Sequence, residues 1–356
     1  MARIPRTSTE VGMISRTAVA TATVLLLAVG APLEGAAAPL EVFATVTDLA
    51  DLARVVGGEQ VAVSAMARGR EDAHFLEAKP SFVKELSKAD LFLQVGMDLE
   101  LGYVPLLLQN ARNERVLPGN PGLLDASSAV TPLDVPAGVV DRSMGDVHPY
   151  GNPHYLLDPL NGLKVARLIA DRLAQLRPEA RAYFEERYAA FRARLGDALV
   201  GVELAAKYEA EKLARLDELG KLDEFLAAQG DTAKLGGWLA QARGLRGTKV
   251  VGDHPLWPYF VRRFGLDVIG HLEPKPGIPP TTAHLGQIVA RMKEQQVRVI
   301  LSAVYYDPRH AALVAGATGA RVAALAHQVG AREGAGDYLG MIDYNLREVV
   351  RAAGAP

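Results

Sequence analysis

The chain contains no cysteine in 356 residues. That excludes disulfides, thiolate metal ligands, a cysteine nucleophile and a lipid-modified N-terminal cysteine. An excess of one charge is also lacking. The formal net charge is -2, so no strong field points to nucleic acid or to an anionic membrane. Aromatic residues make up only 6%, which speaks against the large exposed apolar patch of an adhesin or structural module. No HExxH and no GxSxG motif occurs. A zinc hydrolase would need an open coordination position and a general base, with Glu77 or Asp253 as nominees, and would have to work without either signature.

Long hydrophobic runs are absent after the N-terminus. Arg16 precedes an apolar run from about Ala18 to Val29, and Gly35-Ala36-Ala37-Ala38 follows. A basic flank, a short apolar stretch and an A-x-A-like site predict a secretory signal over residues 1–38, cleaved near Ala37 or Ala38. With no later run near the roughly 20 apolar residues of a spanning helix, the expected product is a soluble, periplasmic protein.

What is present is alternation. Glu41–Val46, Gln60–Ala65 and Leu91–Val95 read as strands, separated by helices over Thr47–Val56 and Ser81–Ala89. The C-terminal half repeats the order with strands at Lys249–Gly252, Leu266–Ile269 and Val297–Ser302, and helices at Leu256–Phe264 and Thr282–Gln295. Leu76-Glu77-Ala78-Lys79-Pro80 is echoed by Leu272-Glu273-Pro274-Lys275-Pro276. The pattern predicts an α/β protein of two similar lobes, each with a parallel sheet. The lobes span 39–158 and 246–356. Residues 159–245 join them through a long helix kinked at Pro178 and a charged helical segment over 203–233, which reads as a solvated face.

Four histidines sit beside turn-forming residues at strand ends or in shaped loops: His74, His154, His254 and His327. Gathered by the fold, they would make the nitrogen-rich tetrahedral pocket that zinc prefers. His148 and His154 flank Pro149-Tyr150-Gly151-Asn152-Pro153, a rigid loop rather than a helical pair. Asp158 either orients an imidazole or begins the next helix. His271, His284 and His310 lack this context and read as surface residues.

Several longer stretches carry a resemblance: AHFLEAKPS with ADLFLQVGMDLE, then GNPHYLLDPLNG, VVGDHPLWPYFVRRFGL, HLEPKPGIPPTTAHL and GDYLGMIDYN. In this order, from about Leu40 to Asn345, they resemble the zinc- and manganese-specific solute-binding proteins of ABC importers. The resemblance implies two lobes joined by one long helix, no enzymatic activity, and metal ligands at His74, His154 and His254. A histidine at the third position implies zinc; glutamate there goes with manganese. The family's fourth ligand is an acid, replaced here within Ala326-His327-Gln328-Val329-Gly330. His327 is the natural substitute, with His148, a nearby acid or water as alternatives. The expectation is a monomeric carrier that captures Zn2+ between its lobes and delivers it to a membrane permease, with manganese or iron as the alternative cargo. Imidazole ligands predict binding that is lost as they protonate below about pH 6.5.

Overall fold

The computed structural model describes residues 38–138, 140, 144–145 and 147–354. Apart from Ala38, the predicted signal segment lies outside the described residues. Among the described residues no helix is long and apolar enough to cross a membrane.

The first lobe runs β1 (Leu40–Ala44), α1 (Thr47–Gly57), β2 (Val61–Ala65), α2 (Pro80–Lys88), β3 (Leu91–Gln94), α3 (Val104–Ala111) and β4 (Leu123–Asp125). Its strands are all parallel, in the order β2-β1-β3-β4. Leu91, Phe92 and Leu93 of β3 are all buried, which is why this strand reads as a continuous apolar run.

Between the lobes lie α4 (Pro159–Leu176) and α5 (Arg181–Val200), then the short helices α6 (Val202–Lys207), α7 (Ala210–Glu218), α8 (Leu222–Ala228) and α9 (Gly237–Ala242). Pro178 breaks the long helix rather than only bending it: Arg177, at φ -137 and ψ 77, leaves the helical region before the proline, and a 3-10 turn follows. Asp158 begins α4. Its carboxylate accepts the Leu160 amide at 2.9 Å and a two-pronged ion pair from Arg263 at 2.9 and 2.8 Å. It orients no imidazole, which decides between the two roles the sequence left open for it.

The second lobe runs β5 (Lys249–Gly252), α10 (Pro258–Phe264), β6 (Asp267–His271), α11 (Thr282–Glu294), β7 (Val299–Ala303), α12 (Pro308–Thr318), β8 (Arg321–Leu325) and α13 (Tyr338–Ala353). The order β6-β5-β7-β8, again all parallel, repeats the first sheet. The two lobes share one plan, as the alternation and the echo predicted.

In such a sheet the connections diverge at the carboxyl ends of the first and third strands, leaving a crevice. A buried carboxylate fills each one. Glu100 accepts the Thr45 hydroxyl at 2.7 Å and the amides of Val95 and Gly96 at 2.7 and 3.0 Å. Asp253 accepts the amides of Ala303 and His254 at 2.7 and 3.0 Å. Burial pushes both carboxyls up to about 7.

One hydrophobic core runs through both lobes and the linking helices, joining Leu49, Ile169, Trp257 and Ile342 in a single cluster. Polar contacts stitch the same seam. Asp48 accepts the Val329 amide at 2.6 Å, and Asp51 accepts the Tyr338 amide at 2.8 Å. The Tyr338 hydroxyl donates to the Leu156 carbonyl at 2.6 Å and lies over Gly162 of α4, where a Cβ would stand 2.0 Å from it.

Two glycine substitutions test this packing. Gly162→Ala must displace Tyr338 and should cost about 1–3 kcal/mol. Gly286→Ala, exposed in α11 with nothing within 4 Å of the added carbon, should gain about 0.5–1 kcal/mol. Urea midpoints moving in opposite directions would bear this out.

Candidate metal centre

His74 follows β2 in a 3-10 turn, Ala73–Phe75, that Asp72 caps. One Asp72 oxygen accepts both the His74 amide at 3.0 Å and its ring Nδ1 at 2.6 Å. His254 follows β5, and its Nδ1 meets Glu273 Oε2 at 2.8 Å. A carboxylate accepts only, so both rings carry their proton on Nδ1 and present Nε2 as a lone pair. This is how metal-binding imidazoles are commonly oriented.

His154 is set by the loop before α4. Gly151 takes φ +107, where a Cβ would meet Pro132 and the Leu133 carbonyl at 2.6 and 2.8 Å. The Asn152 side chain donates to the Pro255 carbonyl at 2.6 Å and accepts the His154 amide at 3.0 Å. Asn152 thereby ties the loop to the second lobe.

His327 follows β8. Asn345 clamps the preceding Ala326 through its amide and carbonyl, both at 2.7 Å. His327 Nε2 donates to the Glu71 carbonyl at 3.1 Å, and Gln328 donates to the same oxygen at 2.9 Å. His148 hydrogen-bonds to the backbone of Met97. The residues after β7 hold both second-lobe rings: Tyr306 stacks on His254 at 5.8 Å, and Tyr305 meets His327 edge-on at 4.5 Å.

Ring nitrogens of His74, His154 and His254 lie within 4.8 Å of one another. A tetrahedral zinc–nitrogen site has N···N edges of roughly 3.4 Å, so this group is within small side-chain adjustments of one. His327 is outside that mutual distance but lines a small cavity of about 40 Å³ together with Asp72, His74 and His154. The His148 ring is 5.3 Å from that of His74. Nε2 of His148, Nε2 of His154 and Nδ1 of His327 are buried without a hydrogen-bond partner. Each such atom ordinarily costs about 1–3 kcal/mol, so the cluster is arranged for an electrophile.

The other three histidines do not all lie on the surface as the sequence reading had it. His271 is half-buried at the end of β6, and burial, with His254 nearby, pushes it down to about 4. His284 Nε2 bonds the His271 carbonyl at 3.0 Å. His310 lines a cavity of about 160 Å³ with Asp253 and Glu273.

Asp72 and Glu273 were not singled out as orienting residues by the sequence reading. Glu273 stands in the repeated L-E-x-K-P stretch, but its counterpart Glu77 is exposed. Asp253, nominated as a hydrolytic base, is engaged with backbone amides inside the sheet.

A profile of the family described as zinc-uptake complex component A, periplasmic, matches residues 42–203 and 202–352. The chain belongs to this family. Among curated relatives, the manganese ABC transporter substrate-binding lipoprotein scaA of Streptococcus gordonii is 27% identical over 161 residues, 44% of this chain and 48% of that protein. The metal ABC transporter substrate-binding lipoprotein SloC of Streptococcus mutans is 26% identical over 180 residues, 50% of this chain and 53% of that protein. The chain thus spans about half the length of the curated relatives it matches. A crystal structure of ZnuA aligns at TM-score 0.64 and 22% identity, covering 88% of this chain and 99% of that one, and shows the same fold.

Burial pushes His148 and His327 down to about 4 and His154 well below its ordinary value, reinforced for His148 and His154 by neighbouring imidazoles. The sign follows directly. An unfolded imidazole takes its proton near pH 6.5, the folded one only near 4, so acidification between these values favours the unfolded chain. For His327 this amounts to roughly 3 kcal/mol by pH 4. Urea titrations of metal-free protein at pH 7 and 4.5 should show a shallower acid loss in His327→Asn than in the wild type. Glu273→Gln should lower metal affinity by roughly 10- to 100-fold without unfolding the chain, as removing an orienting carboxylate does elsewhere.

Proposed function

We propose that this chain is a periplasmic zinc-binding protein that captures Zn2+ between its lobes and passes it to the permease of an ABC importer. The observation that carries the reading is the group of three histidine nitrogens within 4.8 Å, drawn from both lobes. Family membership supports the transport role, and the all-nitrogen donor set supports zinc over manganese, which prefers oxygen ligands. The scaA relative is named for manganese, and that metal is the competing cargo.

The ligand set we propose is His74, His154 and His254, with His327 the fourth ligand favoured by its place in the sequence and His148 its rival by ring distance. Neutral imidazoles coordinate without losing a proton, so capture needs only the expulsion of water and a small closure of the rings. Burial keeps His148 and His327 neutral to about pH 4, so proton competition at these two begins well below the pH 6.5 expected from exposed histidines. The common core leaves little room for a wide hinge, and release by movement of the site loops fits it better. A chain that binds and releases an ion unchanged has no need of the general base that a hydrolase would require.

Metal analysis of protein taken from the periplasm should give one zinc per chain. The same sample should keep zinc against a tenfold excess of manganese, and His254→Ala should lose stoichiometric metal. Manganese in its place, or no stoichiometric metal after zinc is offered, would overturn the reading.

A further inference from the structure

Five imidazoles converge where a tetrahedral ion accepts four. His148 and His327 compete for the last position, and the structure prepares both in the same manner. Each has one ring nitrogen engaged by first-lobe backbone, at Met97 for His148 and at Glu71 for His327. Each keeps the other nitrogen buried and without a hydrogen-bond partner: Nε2 in one, Nδ1 in the other.

Their settings differ. His148 precedes Pro149 and Tyr150, both exposed. Backbone strain supports its place: Gly96, Met97 and Asp98 stand consecutively at φ 84, 54 and 63, and Met97 is the residue that holds the ring. His327 is only 9% exposed and faces the inner cavity of about 40 Å³ that it shares with His74 and His154. That volume exceeds the ~10–15 Å³ a single water-sized guest requires.

Building on the zinc-binding reading, we infer that His148 and His327 are alternative fourth ligands. His148 closes the site on the solvent side and His327 on the inner side, and His74, His154 and His254 stay bound throughout. In the exchange, the bond from zinc to His148 Nε2 breaks as one to His327 Nδ1 forms. One neutral nitrogen donor replaces another, no proton moves, and the ion keeps its charge and four-coordination. The ion therefore changes position without ever being held by fewer than three imidazoles.

The test uses the full chain with Zn2+, and with Co2+ as a spectroscopic stand-in. His148→Ala and His327→Ala should each keep the intense visible absorption of four-coordinate cobalt and lose tenfold or less in zinc affinity. The double variant should lose at least a hundredfold. Release of zinc to a chelator should change in both single variants. If one single variant reproduces the loss in the double variant while the other matches the wild type, the fourth ligand is fixed and the inference fails. Nitrogen-15 spectra of imidazoles in the zinc-loaded wild type supply a check that needs no variant: both His148 Nε2 and His327 Nδ1 should show partial metal-bound shifts, and a shift on one alone overturns the proposal. A wild type that binds neither Zn2+ nor Co2+ stoichiometrically fails at the earlier step, and the binding reading falls with it.

Discussion

The site depends on the two lobes sharing one hydrophobic core. His74 belongs to the first lobe and His254 to the second, and their ring nitrogens come within 4.8 Å of each other and of His154 only because the lobes are packed as one body. The Asp158–Arg263 pair and the contacts of Asn152 and Tyr338 lie on this same seam. Most of the stabilisation comes from apolar area withdrawn from water, which is indifferent to direction. The polar contacts select the register at which that area is buried, and so decide which imidazoles meet.

Within that frame, chemistry is controlled by neutrality. Burial keeps imidazoles uncharged at pH values where exposed ones would take a proton. Carboxylates are held one step back from the cluster. Asp72 and Glu273 touch Nδ1 atoms, which turns the opposite lone pairs inward and adds basicity to them. Asp253 and Glu100 are consumed by the sheets. The result is a soft, nitrogen-lined cluster inside a fold that otherwise has ample acid to offer.

Much of this was legible in the chain. Alternating apolar strands and helices gave the two lobes, because parallel strands covered on both faces must be apolar throughout. Pro178 marked an interruption of the linking helix but read only as a kink; the helix ends there because Arg177, before the proline, leaves the helical region. Three strand-end or loop histidines, His74, His154 and His254, are brought together. The remainder was hidden for physical reasons. L-E-x-K-P recurs in both lobes, yet only Glu273 turns inward while Glu77 faces water, because side-chain direction is set by the local turn and not by the motif. His271 looked like a surface residue because nothing local signals burial at the end of β6. The relative standing of His148 and His327 depends on packing across the seam, and no sequence spacing records it.

The neutrality of the cluster has an electrical consequence. A divalent cation taken up by neutral imidazoles adds its whole charge to the molecule, so the loaded chain is two units less negative than the empty one. The empty and loaded forms then differ in their long-range field. A partner surface carrying positive charge would attract the empty form more strongly than the loaded one, and electrophoretic mobility would register cargo even where the fold does not move.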